Sequence, residues 1–177
     1  PSTIASEQFS VNGMFQPVIS GTTHQPLYYD QMSAIYHKYT VIGSKIKVTL
    51  VNNQGVNAGA IACMYLNEGT SAPVPTLMST MVEMTGGKHK VIHAGGSGGG
   101  SNSTNSFTYT WSAKKRFGGS VLANDILSAA STASPAFQNT YLLAMQDLAA
   151  TTSESLDYTV EITYIAVWQN LKYLTGS

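Results

Sequence analysis

The sequence has few charged residues and a single cysteine. Charged side chains make up 10% of its 177 residues, against roughly 25% in a typical soluble domain, and nine basic residues balance nine acidic ones. Zero net charge excludes strong polyanion binding driven by the overall charge of this region. Because Cys63 stands alone, an internal disulfide framework is excluded as well. Cys63 lies in an apolar run and is predicted to be a small core side chain.

Long apolar runs and targeting signals are also lacking. No apolar stretch approaches the ~20 residues of a membrane-spanning helix. The chain begins Pro-Ser-Thr, with neither an initiator Met nor a signal peptide, so we expect a further segment upstream. Ser, Thr, Asn, Gln and Gly take the place of charge. This composition favours a surface largely covered by other copies of the chain, with an extracellular β domain as the alternative.

Alternating apolar and polar residues predict strands through most of the chain. The period of two is clearest over residues 45–50, 107–113 and 158–164, where β-branched and aromatic side chains alternate with polar ones. Further candidate strands are 7–15, 59–66, 88–94 and 140–148. The long helices that parallel crossovers need are missing, which favours an antiparallel sandwich over an α/β fold. We expect a single domain over residues 1–177.

A few short helices are predicted in the connections. Apolar residues recur with helical spacing over residues 28–39, at Tyr28, Met32, Ile35, Tyr36 and Tyr39. We expect this face to pack on the sandwich, with Met32, Ile35 and Tyr36 largely buried. A second helix is predicted over 76–84 and a short helical turn over 122–127. Residues 95–106, rich in Gly, Ser and Asn, are predicted to form an exposed loop.

The sequence shows no convincing catalytic, metal or cofactor site. Residues 95–99 (Gly-Gly-Ser-Gly-Gly) match the letters of a nucleophile elbow, but more Gly, Ser and Asn follow in place of a helix. On a strand, His89 and His93 would lie ~13 Å apart, too far to ligate one metal ion, and no zinc or calcium motif accompanies them. We expect neither an enzyme nor a cofactor, and interpret the sequon at Asn102 as chance.

Lys114, Lys115 and Arg116 form the one dense basic cluster of the sequence. Strand alternation would place Lys115 on the core side just as the strand ends, so its stem must reach water or a partner. A solvated strand end is one interpretation. Contact with nucleic-acid phosphates or with a neighbouring subunit's carboxylates is the other. It makes these residues the candidate site, with phosphates favoured because no equally dense acidic cluster exists.

The segment over residues 26–52 resembles a known family. It reads Tyr-Asp-Gln, a short helix ending in Tyr-His-Lys-Tyr, and then Val-Ile-Gly-Ser-Lys-Ile-Lys-Val running into a strand. Capsid proteins of circular, Rep-encoding single-stranded DNA (CRESS-DNA) viruses often carry a similar passage between their first two jelly-roll strands. The basic strand end over 115–118 and the closing aromatic strand over 157–168 also resemble that family.

The resemblance implies a single eight-stranded antiparallel jelly roll whose many copies assemble into an icosahedral shell, with T=1 geometry expected. It implies packaged single-stranded DNA, bound mainly through a basic N-terminal arm that is absent from this sequence. The expected location is the virion, with assembly in the host nucleus or cytoplasm. The alternative is a non-viral jelly roll that binds a carbohydrate or receptor and forms a small oligomer.

Overall fold

A computed structural model describes residues 4–21, 24–52, 59–69, 74–92, 104–148 and 156–173. Strands dominate this part of the chain, and three short α-helices lie in the connections. In chain order the elements are β1 (Ala5–Ser10), α1 (Tyr29–Ile35), β2 (Tyr36–Asn52), β3 (Ala60–Glu68), α2 (Met78–Glu83), β4 (Lys88–Ile92), β5 (Thr104–Ser112), α3 (Ala113–Phe117), a 3₁₀ turn (Val121–Ala123), β6 (Ser128–Ala130), β7 (Asn139–Asp147) and β8 (Leu156–Leu171).

The described strands form two antiparallel sheets. The first sheet has the order β1-β7-β3-β4. In the second sheet, β2 pairs with β8 on one side and with β5 and then the short β6 on the other. Most connections cross between the sheets, namely β1 to β2, β2 to β3, β4 to β5, β6 to β7 and β7 to β8. This winding confirms the predicted all-β fold, an eight-stranded antiparallel sandwich of the jelly-roll type.

The long ladder between β2 and β8 is interrupted by a β-bulge. Pairing runs from Tyr36 opposite Leu171 to Asn52 opposite Leu156, with a register shift between Val41 and Gly43. An extra residue in one strand reverses which face later side chains occupy. Tyr39 and Val41 are therefore buried before the bulge, whereas Ser44, Ile46, Val48 and Leu50 are buried after it.

The main core fills the space between the sheets. The first sheet contributes Phe9, Ala62, Met64, Ile92, Tyr141 and Leu143, and the second contributes Tyr39, Val41, Ile46, Val48, Leu50, Phe107 and Trp111. Full burial of one large apolar side chain contributes about 1.5–3 kcal/mol. Cores of this kind specify the strand faces, because a one-residue slip would move a whole row of apolar side chains into solvent.

The first sheet is covered on its outer face as well. Met78 and Met81 of α2 pack over Cys63, Tyr65, Leu142 and Ala144, and these six residues form a second buried cluster. Burial on both faces explains why β7 is apolar from Tyr141 to Ala144 without alternation. The prediction for Cys63 is confirmed: it is fully buried, and burial raises the pKa of its thiol.

The helix predicted over residues 28–39 is wrong at its C-terminal end. α1 ends at Ile35, and Tyr36 already belongs to β2. The strand is favoured over a continued helix here because residues 38–40 gain ladder hydrogen bonds from β8 on one side and β6 on the other. Ile35 is 39% exposed, and Met32 and Tyr36 are only half-buried, so the predicted burial of these three side chains is also wrong.

The buried residue of α1 is Tyr29, which lies off the predicted face. Its ring centroid is 5.8 Å from that of Tyr39 and 5.4 Å from that of Trp168. Its hydroxyl donates a hydrogen bond to the carbonyl oxygen of Ser131. Tyr28 takes the left-handed conformation (φ 66°) and is 71% exposed.

Other boundaries also differ from the sequence prediction. The first strand ends at Ser10 and does not reach residue 15, while residues 104–106 belong to β5 instead of the predicted loop. The helix predicted over 76–84 is present in shorter form as α2, and the turn over 122–127 is present as the 3₁₀ turn and the turn that follows it. The remaining loop residues, 95–103, lie outside the described residues, as do His93 and Asn102.

Candidate interaction site

The basic cluster lies on a helical turn and not at the end of a strand. β5 ends at Ser112, and α3 then carries Lys114, Lys115 and Arg116. The prediction that Lys115 would continue the core side of the strand is therefore wrong. All three residues are exposed, and the turn brings their charges into one short stretch of surface.

Apolar contacts at both ends hold this turn in place. Ala113 is fully buried in the core. The ring of Phe117 meets that of Phe137 edge-on, with centroids 5.6 Å apart and an interplanar angle of 87°. Gly118 (φ 65°) ends the turn, and its backbone N–H donates to the carbonyl oxygen of Lys114 at 3.0 Å. With the ends fixed, the cations project to solvent from a defined place.

The elements around the cluster carry charges of both signs in the described structure. α3 packs against β2, β5 and the 3₁₀ turn, and the exposed ion pair between Lys38 and Asp125 lies in the neighbouring β2–β6 region, with Nζ and Oδ1 3.8 Å apart. Such a surface pair contributes only about 0–1 kcal/mol. Arg116 has an interaction of its own within the chain. Three adjacent exposed cations suit an anion, while the presence and identity of that anion stay a prediction.

A second basic group, which the sequence reasoning missed, lies on the edge strand β4. The Nζ of Lys88 donates to the carbonyl oxygen of Thr108 on β5 at 2.6 Å and lies 4.4 Å from the ring centroid of Tyr109. The Nζ of Lys90 lies 5.8 Å from the ring centroid of Phe107. These cation–π contacts bridge the open side of the sandwich between the two sheets.

Two more lysines lie on the outer face of the second sheet, beside this edge. Lys45 and Lys47 of β2 are exposed opposite Thr110 and Thr108 of β5. The Nζ of Lys47 lies 3.7 Å from Oε1 of Glu161 on β8.

The opposite side of the sandwich, between β1 and β8, contains a groove of about 490 Å³. Phe9, Val18, Leu27, Val160 and Ile162 give it an apolar lining, with His24, Gln25 and Thr163 as polar groups. At one end the hydroxyl of Tyr164 donates to the carbonyl oxygen of Ser10 at 2.7 Å. Burial is the main cause that raises the pKa of Tyr164 well above its usual range, so its proton is held.

The described residues contain no group of three His, Cys, Asp or Glu side chains placed to hold a metal ion. His37 and His89 lie on β2 and β4, and His24 precedes α1; all three are exposed and lie on separate elements. Among the described helices, none is long and apolar enough to cross a membrane.

Comparison with known proteins gives structural similarity only. No family model matches the sequence, and no curated protein matches it. A chain in the structure of Desmodium yellow mottle tymovirus is similar at 15% identity and a TM-score of 0.43, over 100% of this chain and 93% of that one. A chain in the cryo-EM structure of Broad bean stain virus is similar at 6% identity and a TM-score of 0.43, over 100% and 92%. Both sequence identities are too low to assign this chain to a family.

Proposed function

We propose that this chain is the shell-forming domain of a viral capsid protein, and that its role is self-assembly and not catalysis. The observation that carries the proposal is a charge-poor sandwich with large apolar side chains exposed at several separate places. These side chains are Leu27, Tyr28, Ile35, Leu77, Met84, Val91, Leu122, Ile126, Leu148, Tyr158, Ile165, Leu171 and Tyr173. Single exposed apolar residues are ordinary, whereas repeated groups on different connections indicate several contacts.

The exposed apolar residues lie on different elements of the chain. Leu27 and Tyr28 precede α1, and Leu171 lies at the end of β8, whereas Leu77 precedes α2 and Leu122 lies in the 3₁₀ turn. A closed shell needs heterologous contacts around more than one symmetry axis, and so needs several such surfaces on each copy. A module with a single ligand would need only one. The distribution therefore favours assembly.

The finer proposal is a T=1 icosahedral shell around single-stranded DNA, of the CRESS-DNA virus type, located in the virion. Its support is the passage over residues 26–52, which forms α1 and the whole of β2. Genome binding would depend mainly on a basic segment upstream of this sequence, with α3 contributing Lys114, Lys115 and Arg116 on the inner face. Assembly in the host nucleus or cytoplasm belongs to the same proposal.

The groove between β1 and β8 favours one alternative, a carbohydrate- or receptor-binding jelly roll. Its apolar walls and few polar groups are those of a small-ligand site. Size-exclusion chromatography with light scattering, followed by electron microscopy of the peak, separates the two functions. Hollow particles of uniform size support the capsid proposal. A monomer or small ring that binds a glycan would support the alternative and contradict assembly.

A further inference from the structure

Basic residues lie on β4 at one side of the sandwich and acidic residues lie on β1 and β8 at the other, and Glu161 of β8 is paired with Lys47 of β2. On one side, β4 carries Lys88 and Lys90, and neither β4, β5 nor α3 contains an acidic residue. On the other side, β1 carries Glu7, and β8 carries Asp157 and Glu161. We refer to Lys88 and Lys90 as the basic edge, and to Glu7 and Asp157 as the acidic edge.

Strand register places the two edges at the same level. Glu7 pairs with Leu143, Leu143 with Met64, and Met64 with Lys88. These four residues thus form one row across the first sheet, with an acid at one end and a base at the other. A second copy displaced sideways along this row brings its Lys88 towards the Glu7 of the first.

The outer edges of β5 and β8 are open within the described structure, whereas residues 17–19 bond to the backbone of β1 beside Glu7. β5 pairs there only with β2, and β8 pairs only with β2, so each presents one unpaired edge. Because β5 and β8 are both antiparallel to β2, they run parallel to each other. A sideways shift without rotation therefore aligns the β5 edge of one copy with the β8 edge of the next.

We infer that the basic edge of one copy docks against the acidic edge and the adjoining groove of a second copy. The contact is heterologous, since each copy uses two different surfaces. It repeats from copy to copy, and it closes into a ring or shell where a rotation is added to the sideways shift. Opposite charges fix the register and speed the encounter, while the groove offers apolar surface to bury. This inference rests on the proposed self-assembly and names the surfaces that meet.

Two charge-reversed chains test the contact. Chain one carries Lys88→Glu and Lys90→Glu, and chain two carries Glu7→Lys and Asp157→Lys. Each alone sets like charges against each other, so we expect the concentration needed for association to rise about tenfold or more. Equimolar mixing lets the two chains alternate, which restores complementary pairs at every contact of an open chain or even-membered ring and at all but one contact of a three- or five-membered ring. We therefore expect association to recover most of its wild-type strength and to weaken with added salt.

Controls separate this effect from misfolding. Asp30→Lys with Glu83→Lys gives the same charge change as chain two on exposed residues of α1 and α2. Mixed with chain one, it should not restore association, because neither residue belongs to the acidic edge. Thermal melting checks that each variant folds. If chain one unfolds because the Lys88 hydrogen bond is lost, the single variant Lys90→Glu is used in place of chain one. Lys90 makes only the more distant ring contact, so this variant keeps the Lys88 hydrogen bond.

The outcomes distinguish this inference from the proposed function. If the wild type forms closed particles and chain one does so equally well, the edge contact is wrong and the capsid proposal stands. Loss of association that mixing does not restore, with loss of retained nucleic acid, would assign the basic edge to a polyanion and overturn the inference. If the wild type forms only open chains, and the two charge-reversed variants associate when mixed but not alone, the edge contact stands and the capsid proposal falls. A wild type that stays monomeric at low salt contradicts both.

Discussion

The hydroxyl of Tyr164 on β8 donates a 2.7 Å hydrogen bond to the backbone carbonyl oxygen of Ser10 on β1. This bond joins the two sheets along the side where the groove lies. Because β1 pairs with β7 and β8 with β2, the two strands have no backbone ladder between them in the described structure. A side chain therefore supplies the polar link at this edge.

Removing that hydroxyl should destabilise the sandwich without creating a large cavity. We expect Tyr164→Phe to lower the free energy of unfolding by about 1–2 kcal/mol, because a part-buried hydrogen bond is lost. Urea denaturation measures the change. Tyr158→Phe on the same strand, at a side chain that is 41% exposed, is the matched control and should cost under about 0.5 kcal/mol. Equal effects of the two variants would contradict a role for the Ser10 contact.

Ile35 and Tyr29 on α1 should respond to mutation in opposite ways. Because Ile35 is 39% exposed, we expect Ile35→Asp to cost less than about 1 kcal/mol. Tyr29→Ala should cost about 3–5 kcal/mol, since it removes a buried ring from Tyr39 and Trp168. Thermal melting with circular dichroism compares the two. If Ile35→Asp unfolds the protein and Tyr29→Ala does not, the result would contradict the exposed position of Ile35 and favour the longer helix that the sequence periodicity predicted.

Stability should fall at alkaline pH. Burial raises the pKa of Tyr109 and of Tyr141 from 10.0 to about 12. A raised pKa in the folded state means that folding favours the neutral phenol. The contribution of these two tyrosines to the free energy of unfolding is therefore fully present below pH 10 and is lost as the pH rises from 10 to 12. Urea unfolding across this range measures the loss. Tyr141→Phe should reduce the pH dependence, whereas Tyr173→Phe, at a 99% exposed position, should leave it unchanged.

The α3 cluster should act through its charge. If genome phosphate is the partner, Lys114→Gln, Lys115→Gln and Arg116→Gln together should leave shell assembly intact. The same change should lower the amount of nucleic acid that the shells retain. The reduction should shrink as salt rises, because phosphate contacts are salt-dependent. Nucleic-acid content per particle is read from the absorbance ratio.

Two results separate the possible partners of this cluster. The charge-preserving pair Lys114→Arg and Lys115→Arg is the control and should behave like the wild type. Impaired assembly in the absence of nucleic acid would instead assign the cluster to a neighbour's carboxylates. If assembly and nucleic-acid content are both unchanged in the Gln variant, the cluster has neither partner and is a solvated helical turn.

The sequence predicted the sandwich well because local alternation reports which strand face is buried. It failed at the start of β2, because the spacing of Tyr36 and Tyr39 also fits the helical face that was predicted over residues 28–39. The bulge between Val41 and Gly43 also shifts the burial pattern from odd to even positions, so no single alternation runs through the strand. Only the pairing partners on β8 and β6 decide its conformation, and local sequence does not contain them.

The candidate site was predictable only in part. Three consecutive basic residues are visible in any sequence, whereas their place on α3 depends on the burial of Ala113 and the contact between Phe117 and Phe137. The basic edge could not be predicted, because Lys88 reaches Thr108 across the two sheets over 20 positions of chain. β6 was missed since its Ser-Ala-Ala sequence has no strand signal.

The most direct test of the central claim is the size of what this chain forms on its own. The purified domain and a version extended upstream would be brought to assembly conditions over a range of salt and protein concentration. Light scattering and electron microscopy then give the mass and shape of the particles. The account predicts hollow, closed, uniform particles built only from this chain. Monomers or small rings under every condition would contradict it.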